Sequence, residues 1–302
     1  MRRTWRAAKA ALISATAVVA TLLSALVPAQ AAMAGPATPV PPPPSAVLAG
    51  TWVNTNHATR SVVDILVATS PKGIAVDGFG ACSPTPCEFG RIPGTVFGPN
   101  VSATAGKSFA AQWNFGFART VLLATYSTPR KVATLIVQEF TTFTDGSGRA
   151  NYTVTERFTK GKAAVKVTKT GVSASDYPLG DPVSPAISLP AIWINTAATG
   201  NVRAVILSLG PGSGLLQVHA YGFCSPVPCN WGTVTGITFG PSVSATTGGT
   251  FLAPYRFGFA KKLLDGMVNA AGTRLTVQTW TEFTDHSRRS NYVSTDTFVP
   301  LR

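Results

Sequence analysis

The sequence predicts an all-β protein made of two tandem antiparallel up-and-down β-barrel domains, with a pair of β-sandwiches as the alternative. Three observations lead to this fold class. The chain repeats itself once, its apolar residues alternate with a period of two, and no segment carries the apolar stripe of an amphipathic helix. The repeat is far longer than the about 20 to 50 residues of a solenoid unit, so it indicates two complete domains.

The repeat is visible as matched motifs that lie 140 to 142 positions apart. Each copy begins with Trp-x-Asn-Thr, continues through Cys-Ser-Pro-x-Pro-Cys and Phe-Gly-Phe-Ala, and ends with Phe-Thr-Asp and Asn-Tyr. The first residues of these motifs are Trp52 and Trp193, Cys82 and Cys224, Phe115 and Phe257, Phe143 and Phe283, and Asn151 and Asn291. Chemistry common to both domains should use matched positions, which provides a filter for functional residues.

Alternating runs rich in Val, Ile, Thr and aromatic residues predict the strands, and the Gly, Pro, Asn, Asp and Ser between them predict the turns. In the first copy the runs cover residues 61–69, 73–79, 109–117, 132–144 and 151–158. Short strands at this spacing fit a sandwich or a barrel. A barrel is favoured because closure leaves no exposed sheet edge in two adjacent, similar units.

The ends of the chain predict export and a division into five segments. Basic residues precede an apolar stretch from Ala10 to Val27 and a small-residue cleavage pattern, as in a secretory signal. An uncleaved anchor is the alternative reading. The predicted segments are a signal peptide at 1–31, a Pro-rich linker at 32–45, a first barrel at 46–160, a linker at 161–186 and a second barrel at 187–302. The mature protein is expected to be secreted, extracellular or associated with the cell wall, with no stable membrane anchor.

The charge of the chain is basic but thinly spread. There are 25 basic and 12 acidic residues, and four of the basic ones lie in the signal, so the mature chain keeps an excess of about nine positive charges. Only Lys160, Lys162, Lys166 and Lys169 cluster. A nucleic-acid-binding protein usually concentrates basic groups among stacking aromatics, so nucleic acid is not an expected partner.

Four cysteines in an exported chain predict disulfides rather than a metal site. Each copy has its own Cys-x4-Cys, which favours Cys82 with Cys87 and Cys224 with Cys229 among the three possible connectivities. Two prolines inside each ring should make the loop a stiff protrusion.

The opening residues of each copy carry a family resemblance. The segment Gly50-Thr51-Trp52-Val53-Asn54 resembles the Gly-x-Trp start of the first strand in calycin barrels, the lipocalin and avidin-type group. The second copy keeps Trp193 and Asn195, with Ala191 in place of the glycine. The resemblance implies an eight-stranded cup, closed at one end by the tryptophan, that holds a small ligand or presents loops.

Histidine chemistry is not expected, because none of the three histidines is matched in the other copy. His57 falls in a gap, His219 aligns with Asp77, and His286 aligns with Gly146. A mechanism with a histidine base would need one of them in each copy.

Carboxylates pass the filter at two positions. Glu139 fails it because Thr279 stands at the matched position. Glycoside cleavage needs two carboxyl groups, so the remaining pairs define the alternative that the protein is a secreted hydrolase. The pairs are Asp145 with Glu156 in the first copy and Asp285 with Asp296 in the second.

Matched amide, charged and aromatic residues predict ligand binding instead. Such groups suit a sugar or another small polar ligand, because hydroxyls need directional hydrogen bonds and CH faces stack on rings. The predicted ligand-binding residues are Asn54, Phe89, Trp113, Gln138, Asp145, Arg149 and Tyr152 in the first copy, and Asn195, Trp231, Tyr255, Gln278, Asp285, Arg289 and Tyr292 in the second.

The expected function is therefore that of a secreted, non-enzymatic tandem protein. Its partner would be a glycan, a cell-wall polymer or a small polar ligand, bound by matched rim loops whose two weak sites reinforce each other. A protease inhibitor that presents the disulfide loop is a further alternative. The sequence has no phosphate-binding loop, metal-ligand spacing or cofactor fingerprint, so no catalytic residue, cofactor or metal is expected.

Overall fold

The protein folds into two closed barrels of eight antiparallel strands, which confirms the predicted fold class over the sandwich alternative. The structure is a computed structural model and describes residues 45–70, 73–83, 85–162, 169–177, 192–212 and 214–301. The predicted signal peptide and nearly all of the Pro-rich linker lie outside the described residues. Among the residues that are described, no helix is long and apolar enough to cross a membrane.

The first barrel follows the order of the chain. From β1 to β8, every strand pairs antiparallel with the next one, including β3 with β4. The pairing of β8 with β1 closes the barrel. Its strands are β1 Gly50–Asn54, β2 Val62–Ser70, β3 Gly73–Gly80, β4 Cys87–Phe97, β5 Ser108–Asn114, β6 Ala118–Ser127, β7 Thr134–Phe143 and β8 Tyr152–Lys160. The runs read from the sequence correspond to five of these strands, β2, β3, β5, β7 and β8, and β1, β4 and β6 are not among them.

A two-residue strand, β9 Lys169–Thr170, and a 3₁₀ turn at Ala174–Asp176 come from the connector between the barrels. β9 runs parallel to β4, where Cys87 pairs with Lys169. This described part of the predicted linker is therefore attached to the first barrel.

The second barrel repeats the same topology. Its closing pair is β10 with β17, so the first and last strands meet as they do in the first barrel. The strands are β10 Ile192–Asn195, β11 Val202–Leu209, β12 Leu215–Gly222, β13 Cys229–Phe239, β14 Thr250–Arg256, β15 Ala260–Val268, β16 Leu275–Phe283 and β17 Tyr292–Pro300.

Alternation along each strand fills the barrel interiors with apolar side chains. Trp52 and Trp193 are fully buried at matched positions in the two cores. The indole Nε1 of Trp52 donates a hydrogen bond to the carbonyl of Leu48 at 2.8 Å, and the amine of Lys160 lies 5.3 Å from its ring. Burial of such large side chains supplies most of the stabilisation of each barrel.

The two barrels share a third apolar cluster on their outer faces. It contains Phe97, Leu123, Phe140, Phe239, Leu252 and Trp280. Edge-to-face ring pairs cross the interface, with centroids 5.2 Å apart for Phe97 and Trp280 and 5.1 Å apart for Phe140 and Phe239. Outward-facing side chains of β4, β6 and β7 are therefore buried by the second barrel rather than exposed.

A buried acid lies at this interface, at the position matched to Leu123. Asp265 is 2% exposed, and Gln138 of the first barrel hydrogen-bonds its carboxyl group. Burial raises the pKa of Asp265 to about 7, although the Gln138 hydrogen bond acts in the opposite direction. The protonated acid is therefore the favoured form in the folded protein below neutral pH.

Main-chain hydrogen bonds fix the orientation of the two barrels. Tyr152 pairs with Gly240, and Gly98 pairs with Tyr292 in the related contact. We call the end of each barrel that carries the β1–β2, β3–β4, β5–β6 and β7–β8 loops, or their counterparts, its mouth. In both contacts the start of a strand at the mouth of one barrel meets a loop of the other barrel. This loop joins β4 to β5, or β13 to β14 in the second barrel, and it lies at the end opposite to the mouth. The two mouths therefore face opposite ends of the pair.

Candidate functional site: the mouth of the first barrel

A cavity of about 470 Å³ opens at the mouth of the first barrel. Its walls come from three parts of the chain: the first barrel itself, the connector at Val172, Asp176 and Tyr177, and the loop from Pro241 to Ser244 of the second barrel. The volume lies within the range of roughly 300 to 1,000 Å³ that is usual for small-molecule sites.

Glu139 is the most buried acid in this cavity, with 3% of its surface exposed. It lies on β7 in phase with the inward Val137, so its side chain points into the barrel. One carboxyl oxygen accepts a hydrogen bond from Ser61 Oγ, and the other accepts one from Thr141 Oγ1 at 3.2 Å. Burial raises the pKa of Glu139, and these hydrogen bonds offset the shift only in part. Burial therefore favours the protonated form of this acid more than in an exposed glutamate.

A second carboxyl group, that of Glu156 on β8, lines the same cavity. Asn54 Nδ2 donates a hydrogen bond to Glu156 Oε2 at 2.6 Å, and Asn56 Nδ2 donates one to Oε1 at 3.2 Å. Its charge contributes to the raised pKa of Glu139. The cavity thus combines a buried acid whose pKa is raised with a second carboxyl group held by amides.

The connector forms one wall through Tyr177. Its ring lies edge-on to Phe117 and Phe143, with centroids 5.6 Å away in both cases. Asp176 accepts hydrogen bonds from Lys169 Nζ at 2.5 and 2.6 Å and from the Ser173 main-chain N–H at 2.7 Å. These contacts anchor the turn that carries Tyr177 against the mouth.

Tyr152 stands where the first barrel meets the loop of the second. The N–H of Thr153 donates to the carbonyl of Gly240 at 2.9 Å, and the N–H of Ala150 donates to that of Val243 at 2.8 Å. Burial and the neighbouring Glu139 raise the pKa of the Tyr152 hydroxyl, so it remains a donor at neutral pH. The wall from the second barrel is thus held by main-chain hydrogen bonds.

Of the predicted ligand-binding residues, Phe89 and Tyr152 line the cavity, and Asn54 orients Glu156 beside it. Phe89 lies over Gly78 and Gly80, where a Cβ atom would come within 2.9 and 2.6 Å of its ring. The two glycines therefore make room for an aromatic ring at the mouth.

Trp113 and Tyr255 are instead core residues. Trp113 Nε1 donates to the carbonyl of Gly90 at 2.7 Å, and the Tyr255 hydroxyl donates to the carbonyl of Val218 at 2.7 Å. Both side chains are almost fully buried and use their polar atoms inside the fold.

The predicted Asp–Arg pairs stabilise the β7–β8 turn and its counterpart. Asp145 with Arg149, and Asp285 with Arg289, form ion pairs at 2.5 Å. Each guanidinium also covers a phenylalanine ring, at 4.3 and 4.0 Å from the centroid. Hydrogen bonds from Ser147, together with Arg149, lower the pKa of Asp145 to about 2. These charges are engaged within their own turns.

The two predicted glutamines lie on the outer face of their strands, away from the mouths. Gln138 contacts Asp265 across the interface between the barrels. Gln278 pairs in register with the same aspartate on the neighbouring strand. The structure therefore does not bring these residues to the cavity.

In the second barrel, Asn195, Trp231 and Tyr292 lie at the mouth. Asn195 Nδ2 donates to Asp296 Oδ1 at 3.1 Å, as Asn54 does to Glu156. Trp231 covers Gly222 much as Phe89 covers its glycines, and the Tyr292 hydroxyl donates to Asn201 at 2.8 Å.

Sequence reasoning missed the residues that give the first mouth its own character, Glu139, Ser61 and Tyr177. Glu139 was visible as a polar residue in phase with inward apolar ones, but the matched-position filter removed it because the second copy has Thr279 there. Tyr177 lies in the connector, which has no counterpart to compare. Asp145, the predicted partner of Glu156 in the hydrolase alternative, does not line the cavity.

Both predicted disulfides are present, with Cα atoms 5.5 Å apart for Cys82 and Cys87 and 5.4 Å apart for Cys224 and Cys229. Sulfur atoms of the first bridge lie near a carboxylate oxygen of Asp176. Sulfurs bonded to each other are not thiolates, so this group lacks the ligands of a metal site. Two disulfides are compatible with an extracellular protein.

Comparison of the chain with models of protein families and with curated proteins found no match.

Proposed function

We propose that the protein is an exported binding protein that holds a small, hydroxyl-rich ligand, such as a sugar unit of a glycan or cell-wall polymer, in the mouth of its first barrel. The observation that carries this proposal is the cavity in which Glu139 and Glu156 lie together. Export is supported by the signal-like N-terminus and by the two disulfides.

The polar groups of the cavity suit hydroxyl groups, each of which donates one hydrogen bond and accepts others. The carboxyl oxygens of Glu156 are acceptors, and the Tyr152 hydroxyl is a donor. Phe89 and Tyr177 add aromatic surface on which the CH face of a sugar ring can pack. A cup of this kind is also what the calycin resemblance implies.

The opposed mouths change how two sites would cooperate. A short ligand cannot occupy both mouths, because they face opposite ends of the pair. We therefore place the sugar site in the first mouth alone, where the cavity lies.

The proposal is tested by calorimetric titration of the full chain with a panel of neutral mono- and disaccharides. Glu156→Gln should weaken binding of any sugar that binds by about tenfold or more, since hydrogen bonds to a charged group are worth about 1.5 to 3 kcal/mol. Glu282→Gln is the matched control, because Glu282 is half-buried, lies on the other barrel and pairs with Lys261 away from the cavity. Equal effects of the two variants, or no binding of any sugar, would reject this site.

The same two carboxyl groups also favour a second candidate, a glycoside hydrolase in which Glu139 is the general acid and Glu156 the partner carboxylate. Glycosidases use such a pair, with the pKa of the acid raised. Release of reducing sugar from soluble glycans should then occur with the native protein and be lost in Glu139→Gln. Absence of turnover in the native protein would leave the binding function.

A further inference from the structure

The mouths of the two barrels share one arrangement and differ in two inward residues. On β6 and β7, Thr120 pairs with Thr141. On β15 and β16, the equivalent register places Lys262 opposite Thr281. Two residues before Thr141 stands Glu139, and two residues before Thr281 stands Thr279. In the second barrel, Lys262 therefore stands in place of Thr120, and Thr279 stands in place of Glu139.

In the first barrel the carboxylate of Glu139 completes a closed network. Thr141 Oγ1 donates to Glu139 at 3.2 Å and lies 3.1 Å from Thr120 Oγ1. Ser61 donates to the other carboxyl oxygen. Every hydroxyl in this layer thus has a partner.

In the second barrel the matched hydroxyl groups have lost that partner. Thr279 and Thr281 are 0% and 1% exposed, and neither Oγ1 atom has a hydrogen-bond partner among the described residues. A buried hydroxyl without a partner costs about 1 to 3 kcal/mol. The missing group is an acceptor at the place where the first barrel has the carboxylate of Glu139.

Lys262 supplies a positive charge beside these hydroxyls. The residue is 8% exposed, and its Nζ lies 4.7 Å from the centroid of the Trp231 ring and 6.0 Å from that of Tyr292. Within the described part of the chain, no acceptor lies within hydrogen-bond distance of this ammonium group. Burial lowers the pKa of Lys262 to about 8, while Asp296 acts in the opposite direction, so the group remains mainly charged at neutral pH.

Asp296, the nearby carboxylate, is already engaged. It accepts hydrogen bonds from Asn195 Nδ2 at 3.1 Å and from the main-chain N–H groups of Asn201 and Val202 at 3.3 Å. It balances part of the lysine charge from a distance but does not occupy the position of the missing acceptor.

We propose that the mouth of the second barrel binds the carboxylate of a small organic acid, held by Lys262, Thr279 and Thr281 where the first barrel carries its own carboxylate. Three donors around one anion form a charge-assisted site. Trp231 and Phe257, whose rings are 5.6 Å apart, provide aromatic surface for the organic part of the ligand. The two mouths would then bind different chemistry on one scaffold, and this inference does not depend on the sugar site.

The test uses the full chain and two isosteric probes, benzoate and benzamide, in titrations followed by calorimetry and by tryptophan fluorescence. Benzoate should bind saturably and change the fluorescence, because Trp231 lies beside Lys262, whereas benzamide should bind at least tenfold more weakly. Equal affinity for the two probes would overturn the proposal, since charge would then play no part. Absence of saturable benzoate binding would overturn it as well.

Three variants locate the site. Lys262→Thr installs the residue of the first barrel and should lower benzoate affinity by about tenfold or more. Thr279→Glu installs the matched carboxylate and should abolish binding by filling the site. Lys261→Thr, an exposed position on the same strand, is the control and should leave affinity unchanged.

Folding of each variant is checked by its thermal unfolding transition. If Thr279→Glu fails to fold, Thr281→Val removes one donor and should still weaken benzoate binding. Equal loss in the Lys261 and Lys262 variants would show non-specific attraction to a basic protein and overturn the proposal. Loss of sugar binding in Glu156→Gln with benzoate binding intact would separate the two sites.

Discussion

Replacement of Asp265 by asparagine should make the protein more stable at neutral and alkaline pH. The carboxyl group is buried between the barrels, and its pKa is about 7 in the folded protein compared with 3.8 for an exposed aspartate. Below pH 3.8 the folded and unfolded chains are both protonated at this position. Between the two values only the folded chain keeps the proton, so stability falls as the pH rises.

The size of the effect follows from the shift. A difference of about three pKa units corresponds to about 4 kcal/mol of unfolding free energy. This stability is lost at up to about 1.4 kcal/mol per pH unit between the two pKa values, and the loss is complete above pH 7. Asp265→Asn keeps the shape and the Gln138 contact but carries no charge. The variant should match the native protein near pH 4 and exceed its stability by up to about 4 kcal/mol at pH 8.

The assay is urea unfolding of the native protein and the variant across this pH range, followed by tryptophan fluorescence. The difference between the two curves removes the contribution of Glu139, which is common to both. Asp285→Asn is the control with a pH dependence of opposite sign. Hydrogen bonds from Ser287 and the contact with Arg289 lower the pKa of Asp285, so the stability that Asp285 contributes is lost as the pH falls. A stability difference for Asp265→Asn that stays constant from pH 4 to pH 8, or a native protein that is the more stable at pH 8, would refute the reasoning.

Two further predictions concern packing. Gly222→Ala should destabilise the second barrel by about 1 to 3 kcal/mol, because the new Cβ would lie 2.5 Å from Trp231 Nε1, whereas Gly258→Ala, with open space at its Cβ, should be neutral in the same thermal melt. Trp280→Ala should cost about 3 to 5 kcal/mol and destabilise both barrels together, because the ring fills the cluster that they share. Phe259→Ala, at an exposed position, serves as its comparison. Separate melting of the second barrel alone in Trp280→Ala would contradict a shared cluster.

Much of the fold could be predicted from local patterns. The alternation along the strands placed Trp52 and Phe158 inside, and the repeated motifs implied two barrels of the same kind. β4 was harder to recognise, because Gly90, Pro93 and Gly94 interrupt the pattern. Gly94 is needed where a Cβ atom would lie 2.9 Å from the side chain of Ile74 on the neighbouring strand, a contact that only the folded barrel creates.

The candidate site was predictable only in part. Phe89 and Tyr152 were identified because both copies have an aromatic residue there. Glu139 was rejected for the opposite reason, since matched positions report what two copies share and not what distinguishes them. Tyr177 reaches the mouth through docking of the connector, and such long-range contacts leave no periodic signal in the sequence.

The sequence by itself determined the duplication, the all-β class, the two closed barrels and the disulfide pairing, because each depends on residues that are close in the chain or repeated at a constant offset. Only the tertiary structure decided which outer strand faces meet, that the mouths point in opposite directions, and that Asp265 is buried between the barrels. Alternation assigns each side chain to one of two faces of a strand, but it carries no information about what covers the outer face.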